Sequence, residues 1–424
     1  MNTEKQNKNN NSKIFDDKIS RRSALSTGGK AAAGVAVAAI IAGAGGFFAG
    51  TNSATPIESA PVTVTNTVTT TEQIEVEHEH GDRTIGYAIG KGIVATLDLE
   101  DQRLLSVNLN DVIPPVTYSN HRLNKLGHAW GGDKSSGKAY GIDPVSGDIV
   151  ASVNLPGRWT SLLPGIDPKG EFMYVLNLIV APSVEEEAFM AKDFTKDKIV
   201  PSPIYKIDTT NPDKGIIGEV EAARFACDVY VDDNYIWTAD QLDTLVTRID
   251  VNSFTVKDTI PASAIGDDGQ NVGGSMLTGS PDGRLLFYER APAANWSKGI
   301  DIEGPFEEIV IDAKTLEVIK RIPFKDQGMP IIDEFSPDGK YCSVTHPASV
   351  SIFDVEKLEI VGSVPAAGPG LGLTYSPDSQ FLYIPNRGSS SISVVELDSA
   401  TVVKEIPLPS AVTDIIPSPS IWWE

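Results

Sequence analysis

Cysteine is nearly absent: Cys227 and Cys342 are the only two in 424 residues. An exported domain that depends on disulfides carries several pairs. Covalent staples are therefore excluded as the main source of stability, and both thiols read as free and buried. A core of this size stands without them. Histidine is also scarce, with five copies, which excludes a copper or zinc centre built from several imidazoles. Basic charge is in deficit, with 35 Lys and Arg against 57 Asp and Glu and a formal net charge of −22. Such a surface repels nucleic acid and anionic lipid. No Gly-rich phosphate loop, Ser-centred elbow or paired-cysteine motif occurs, and carboxylates are too numerous for any acid/base pair to stand out.

The first 30 residues oppose this trend, with seven basic and three acidic side chains, leaving −26 for the remainder. Arg21-Arg22 stands in Ser20-Arg21-Arg22-Ser23-Ala24-Leu25, and residues 31–50 form an uncharged Ala/Gly-rich apolar run. Paired arginines before a moderate apolar stretch predict a twin-arginine export signal over 1–50. Ala24 stands where an aromatic is usual. The run is about long enough to cross a bilayer, so cleavage near Ala54 and retention as a membrane anchor both fit. Residues 51–83 are Thr-rich and read as an extended linker. The expected location is outside the cytoplasm, extracellular or periplasm-like.

From residue 84 onward one unit recurs: an alternating strand ending in Asp, a tight turn, and a second apolar strand. It appears at Asp98, Asp143, Asp208, Asp250, Asp312, Asp354 and Asp398, with spacings of 45, 65, 42, 62, 42 and 44 residues. A period near 42–45, lengthened in two copies, is that of a four-stranded propeller blade. The Asp carboxylate accepts turn N–H groups. A second marker lies upstream, as Ser280-Pro281-Asp282-Gly283, Ser336-Pro337-Asp338-Gly339 and Ser376-Pro377-Asp378-Ser379, with Asp167-Pro168-Lys169-Gly170 as a variant. Pro followed by Asp-Gly is turn chemistry. The first unit lacks an inner strand. The C-terminal Val412-Thr413-Asp414-Ile415-Ile416-Pro417-Ser418-Pro419 resembles the inner strand at Pro330-Ile331-Ile332-Asp333-Glu334-Phe335-Ser336-Pro337. The expectation is an all-β, seven-bladed β-propeller over 84–424, closed by the C-terminal strand completing the first blade.

These stretches resemble the YVTN-type β-propeller repeat family. The best copy is Ser376-Pro377-Asp378, then Leu382-Tyr383-Ile384-Pro385-Asn386 and Ile392-Ser393-Val394-Val395; Met173-Tyr174-Val175-Leu176-Asn177 is a second. The resemblance implies the fold more than a function. It also implies kinship with lactonases and with the haem-binding propeller of dissimilatory nitrite reductase.

Tight turns are expected on one face of the ring. The long insertions at 180–203, 290–305 and 263–274 fall on the other, which makes that loop-rich face the expected binding face. Ten residues beyond the turn marker lie Asn177, Arg290, His346 and Asn386, the last followed by Arg387; Asp240 takes a similar place. The family Asn ends the second strand and satisfies the next loop, so Arg290 and His346 are departures. With Arg158 and Arg224 entering inner strands, they compose a candidate channel-mouth cluster for an anion or carboxylate, against the alternative of solvated loop residues. A haem needs an axial ligand, and His346 is the one histidine near the mouth; His121 is expected in a turn and His128 in a strand. His78 and His80 in His78-Glu79-His80-Gly81-Asp82 are a metal-like cluster that reads equally as polar linker. Asn295-Trp296-Ser297 is a glycosylation sequon.

Two functions remain open. One is a binding or scaffold propeller without a cofactor, taking a protein partner or small anionic ligand on the loop-rich face. The other is an exported haem- or metal-bearing redox protein, with a lactonase-like hydrolase behind it.

Overall fold

The computed structural model describes residues 84–114, 117–133, 137–156, 159–160, 164–178, 202–223, 228–240, 245–260, 276–290, 293–295, 301–302, 306–325 and 327–418. The local chemistry of the repeat builds it. In the turn before the second strand, the Ser hydroxyl donates to the Asp two residues on at 2.7 Å (Ser280), 2.6 Å (Ser336) and 2.6 Å (Ser376). The same oxygen accepts the amide five residues on, from Leu285, Tyr341 and Phe381, each at 2.9 Å. Gly283 and Gly339 complete these turns at φ 67° and 69°, where a Cβ is disfavoured. Asp167 substitutes its own carboxylate, accepting Glu171 and Phe172 amides at 2.7 Å.

The turn after the third strand is held by the periodic Asp. Asp98 accepts the amides of Glu100 and Asp101, Asp250 those of Asn252 and Ser253, and Asp312 those of Lys314 and Thr315, at 2.7–3.1 Å. These bonds hold the Asp250 and Asp312 carboxyls below their usual range. Four residues beyond the carboxylate the chain turns left-handed at Gln102, Gly147, Phe254, Leu316, Leu358 and Ala400, with φ between 48° and 74°. Just before each turn the third and outer strands slip by one residue, at Thr96/Leu97, Gly141/Ile142, Lys206/Ile207, Arg248/Ile249, Val310/Ile311, Ile352/Phe353 and Val394/Val395. One such bulge per blade sharpens the twist that turns each outer strand outward. In the seventh blade Glu396 ends the third strand, not Asp398. Asp398 instead accepts the Tyr341 hydroxyl of blade 6 at 2.8 Å, and Glu396 restores the 42-residue step from Asp354.

Seven antiparallel four-stranded blades result. In order from inner to outer strand, blade 1 is Asp414–Ser418, Ile85–Gly90, Ile93–Asp98 and Arg103–Leu109; blade 2 is Thr117–Leu123, Ala129–Asp133, Lys138–Ile142 and Ile149–Asn154. Blade 3 has a two-piece inner strand, Trp159–Thr160 and Gly165–Ile166, then Phe172–Leu178, Ser202–Asp208 and Ile216–Ala223. Blade 4 is Tyr230–Val231, Tyr235–Asp240, Leu245–Asp250 and Thr255–Ile260; blade 5 is Leu277–Gly279, Leu285–Arg290, Glu307–Asp312 and Val318–Pro323. Blade 6 is Ile332–Phe335, Tyr341–His346, Ser349–Asp354 and Glu359–Pro365; blade 7 is Thr374–Tyr375, Phe381–Asn386, Ser391–Glu396 and Thr401–Pro407. A short hairpin, Ala293–Asn295 with Asp301–Ile302, lies between the second and third strands of blade 5. The ring closes as expected: Asp414–Ser418 pairs antiparallel with Ile85–Gly90, Ile415 opposite Ala88 and Ile416 opposite Tyr87.

The core is divided among the seams between blades. Phe287 of blade 5 packs edge-to-face on Phe335 and Phe353 of blade 6, at 4.9 and 6.2 Å between ring centroids. Seams are tight enough to demand glycine: a Cβ on Gly279 of blade 5 would lie 2.3 Å from the Tyr230 ring of blade 4. Cys342 is free and fully buried in the seam between blades 5 and 6. Cys227 lies outside the described residues.

Candidate functional site

Because every second strand starts at a tight turn, every second strand ends on the same opposite rim. Asp240, Arg290, His346 and Asn386 are the last residues of their strands, and Asn177 is one short of the end. The sequence spacing thus brought these positions into equivalence, but their side chains serve different partners. Asn386 accepts the Ala367 amide at 3.0 Å and donates to Ser393 Oγ at 2.6 Å, which in turn donates to Glu405 at 2.5 Å. This is the strand-ending role the repeat implies. Arg290 is buried and pairs with Glu307 at 3.1 Å; Arg321 shares that carboxylate at 2.6 Å.

His346 is fully buried. Its Nδ1 lies 3.2 Å from the Gly328 carbonyl, its Nε2 2.8 Å from Ser351 Oγ, and its ring packs on Phe324 at 4.7 Å between centroids. Burial lowers its pKa to about 4, so the imidazole is neutral at pH 7. Both nitrogens are thus occupied, one by Ser351 of blade 6 and one by the chain that leads into that blade, and the residue does not fit an axial haem role. His121 lies in the inner strand of blade 2 and His128 in the turn after it, the reverse of the sequence expectation. Arg387 donates its backbone amide to Gly368 O at 3.1 Å. Burial lowers the pKa of its guanidinium while Asp414 opposes that shift.

The side chains of Asn177, Asp240 and Asn295, and all of Arg158, Arg224, Arg21, Arg22, His78 and His80, lie outside the described residues, as do most of the three long insertions. Among the described residues no group of three or more His, Cys, Asp or Glu is disposed to hold a metal ion. Among the described residues no helix is long and apolar enough to cross a membrane.

Two features were not anticipated. On the tight-turn face, the turns of blades 3, 4 and 5 enclose an open cavity of about 350 Å³. Pro168, Pro281 and Asp282 stand at its edge with Asp233 and Lys314; Tyr235, Trp237 and Arg248 also line it. Trp237 Nε1 donates to Asp232 Oδ2 at 2.8 Å, and Asp232 Oδ1 accepts the amides of Asn234 and Tyr235 at 2.7 Å. Arg248 pairs with Asp258, donates to Ala313 O at 3.2 Å, and stacks over Tyr235 with its guanidinium carbon 4.8 Å from the ring centroid. These groups are fixed before anything binds. No single motif signals the cavity, because three separate turns compose it.

The second feature is a group of carboxylates beside the inner strands. Glu289 and Glu308 are direct cross-strand partners in blade 5, and Asp333 lies on the inner strand of blade 6. All three are buried, and burial first, then repulsion from neighbouring carboxylates (Asp333 acting on Glu289 and Glu308, Asp228 on Asp333), raises their pKa values well above the carboxylate range. Asp228, before the inner strand of blade 4, accepts the Leu277 amide at 3.2 Å. A signal was present in the sequence: Glu289 shares its face with Phe287, Glu308 with Val310 and Asp333 with Phe335, so each acid stands in the apolar phase of its strand.

No protein-family model and no curated protein matches the chain. Among solved structures, it superimposes on a chain of Kuenenia stuttgartiensis hydrazine synthase with TM-score 0.54 and 16% identity, over 72% of this chain and 89% of that one. A functionally unknown protein from Desulfotomaculum acetoxidans DSM 771 gives TM-score 0.55 and 12% identity, over 78% and 98%. Dihydro-heme d1 dehydrogenase NirN gives 0.48 and 13%, over 78% and 74%. At 16% and 12% identity the first two likenesses are of fold.

Proposed function

We propose that the chain is an exported β-propeller that works as a binding or scaffold module. The observation that supports this reading is the turn-face cavity of about 350 Å³, whose aromatic and arginine floor is locked by internal bonds. Preorganised Trp, Tyr and Arg are the residue types on which protein contacts concentrate their energy. Asp233 and Lys314 at its edge are exposed and supply both signs of charge to a partner. The loop-rich face remains the other candidate for the partner. Residues 1–50 support export, with Arg21 and Arg22 as the pair read by the twin-arginine route.

Two variant sets test the reading. Asp233→Lys with Lys314→Glu reverses the cavity edge while leaving its floor. A partner that cross-links to the wild type, and loses at least tenfold in affinity for this variant, supports binding at the cavity. An unchanged affinity moves binding to the loop-rich face, and catalytic turnover by the purified protein overturns a non-enzymatic role. Arg21→Lys with Arg22→Lys should retain the protein in the cytoplasm; unaltered export would refute the signal.

A further inference from the structure

The seam between blades 5 and 6 carries three acids that no turn, rim contact or cavity employs. Glu289 and Glu308 project from blade 5 on the face shared with Phe287 and Val310, and Asp333 meets them from blade 6 on the face shared with Phe335 and Cys342. Relative exposures are 1% for Glu289, 0% for Glu308 and 3% for Asp333. Among the described residues, one oxygen of Glu289 and both oxygens of Glu308 and Asp333 have no hydrogen-bond partner.

Among the described residues, the charged groups that act on the three are of the same sign; the buried Arg122 guanidinium of blade 2 acts on Glu334 rather than on them. From blade 5 comes Glu307, committed to Arg290 and Arg321. From blade 4 comes Asp228, and from blade 6 come Glu334 and the Cys342 thiol. Among the described residues no Lys or Arg forms an ion pair with the three. An isolated ionised carboxylate is strongly disfavoured in such surroundings, whereas a protonated one is tolerated far better.

We propose that this seam is a proton-linked latch, closed while Glu289, Glu308 and Asp333 carry their protons and loosened as they ionise. The geometry supports it: three buried carboxyl groups from two blades converge in an apolar interface, and among the described residues none of them is paired with a cation. The sign follows from linkage. Each group has its folded pKa raised above the unfolded value of about 4, so the native state binds more protons. Stability contributed by the seam is present below that value and is lost as pH rises toward the folded pKa. Blades 5 and 6 also carry the neighbouring rim residues Arg290 and His346, so loosening the seam changes the face on which they stand.

The test compares the wild type with E289Q, E308Q and D333N, singly and together, by urea denaturation at pH 5 and pH 8. Gln and Asn keep the shape and cannot ionise, and titration of His346 and the turn aspartates cancels in the difference. The folding equilibrium of the triple variant relative to wild type should rise at least tenfold between pH 5 and pH 8. Cys342 gives a local readout in a Cys227→Ser background: at pH 8 a thiol reagent should label it several-fold more slowly in the amide variants. An equal stability gap at both pH values, or equal labelling, overturns the latch. Calcium chloride that stabilises wild type but not the triple variant at pH 8 would make the seam a cation site and also overturn it. Should the triple variant fail to fold, E308Q alone must shift in the stated direction.

Discussion

Ring closure rests on two side chains that point opposite ways from one strand. Ile415 packs with Ala88, Leu97, Tyr383 and Val394, joining blade 1 to blade 7. Ile416 packs with Ile89, Val94, Ala129 and Ile142, joining blade 1 to blade 2. Both are fully buried. Truncating a buried isoleucine to alanine costs about 2–5 kcal/mol. The two residues occupy separate seams, so their losses should nearly add, giving roughly 4–10 kcal/mol for Ile415→Ala with Ile416→Ala. Total stability for a domain is about 5–15 kcal/mol, so the double variant should be largely unfolded or open at blade 1. The backbone edge of Ile85–Gly90 would then be bared, and an uncovered edge recruits other strands. Urea denaturation followed by tryptophan fluorescence measures the loss, and light scattering detects association through the freed edge. Val403→Ala, on the exposed outer strand of blade 7, is the control and should change stability by less than about 0.5 kcal/mol. A double variant that loses less than about 2 kcal/mol, or no more than the control, would refute closure by this strand.

Other expected outcomes follow from single contacts. Gly279→Ala forces a Cβ to within 2.3 Å of the Tyr230 ring and should cost about 3 kcal/mol or more by overpacking, read as a lowered urea midpoint. Gln102→Gly relieves a left-handed residue at φ 52°; it should gain roughly 0.5–1 kcal/mol once glycine's flexibility is counted, and a clear loss would contradict the turn geometry. His346 should titrate by NMR with a pKa of about 4. Since that value lies below the unfolded one, about 6.5, the stability it contributes is lost as pH falls between the two; a normal titration near 6.5 would show the ring to be exposed.

What the sequence revealed was what short-range chemistry encodes. Asp98, Asp250 and Asp312 could be read as turn acceptors because the amides they bind lie two and three residues away. Ring closure was legible because an unmatched inner strand at one end met an unmatched second strand at the other. Where two residues competed for one local role, the reading slipped: Asp398 looks like the periodic acid, but the strand ends at Glu396 and Asp398 turns to a neighbouring blade. His346 ends the second strand of blade 6, yet its carbonyl partner comes from the chain between blades, 18 residues away at Gly328, and no spacing rule reaches that far.

The carboxylate seam explains why a repeat fold can hide chemistry. In a single undivided core, three unpaired acids would act on every element at once. Here the apolar interior is split among separate seams, and the packing of Ile415 and Ile416 depends on blades 7, 1 and 2 rather than on blades 5 and 6. The penalty of Glu289, Glu308 and Asp333 therefore falls on one seam while the closure strand holds the ring. That division makes a local response to pH compatible with a stable whole, and it locates the response: at the strands Leu285–Arg290, Glu307–Asp312 and Ile332–Phe335, far along the chain from the strand that closes the ring.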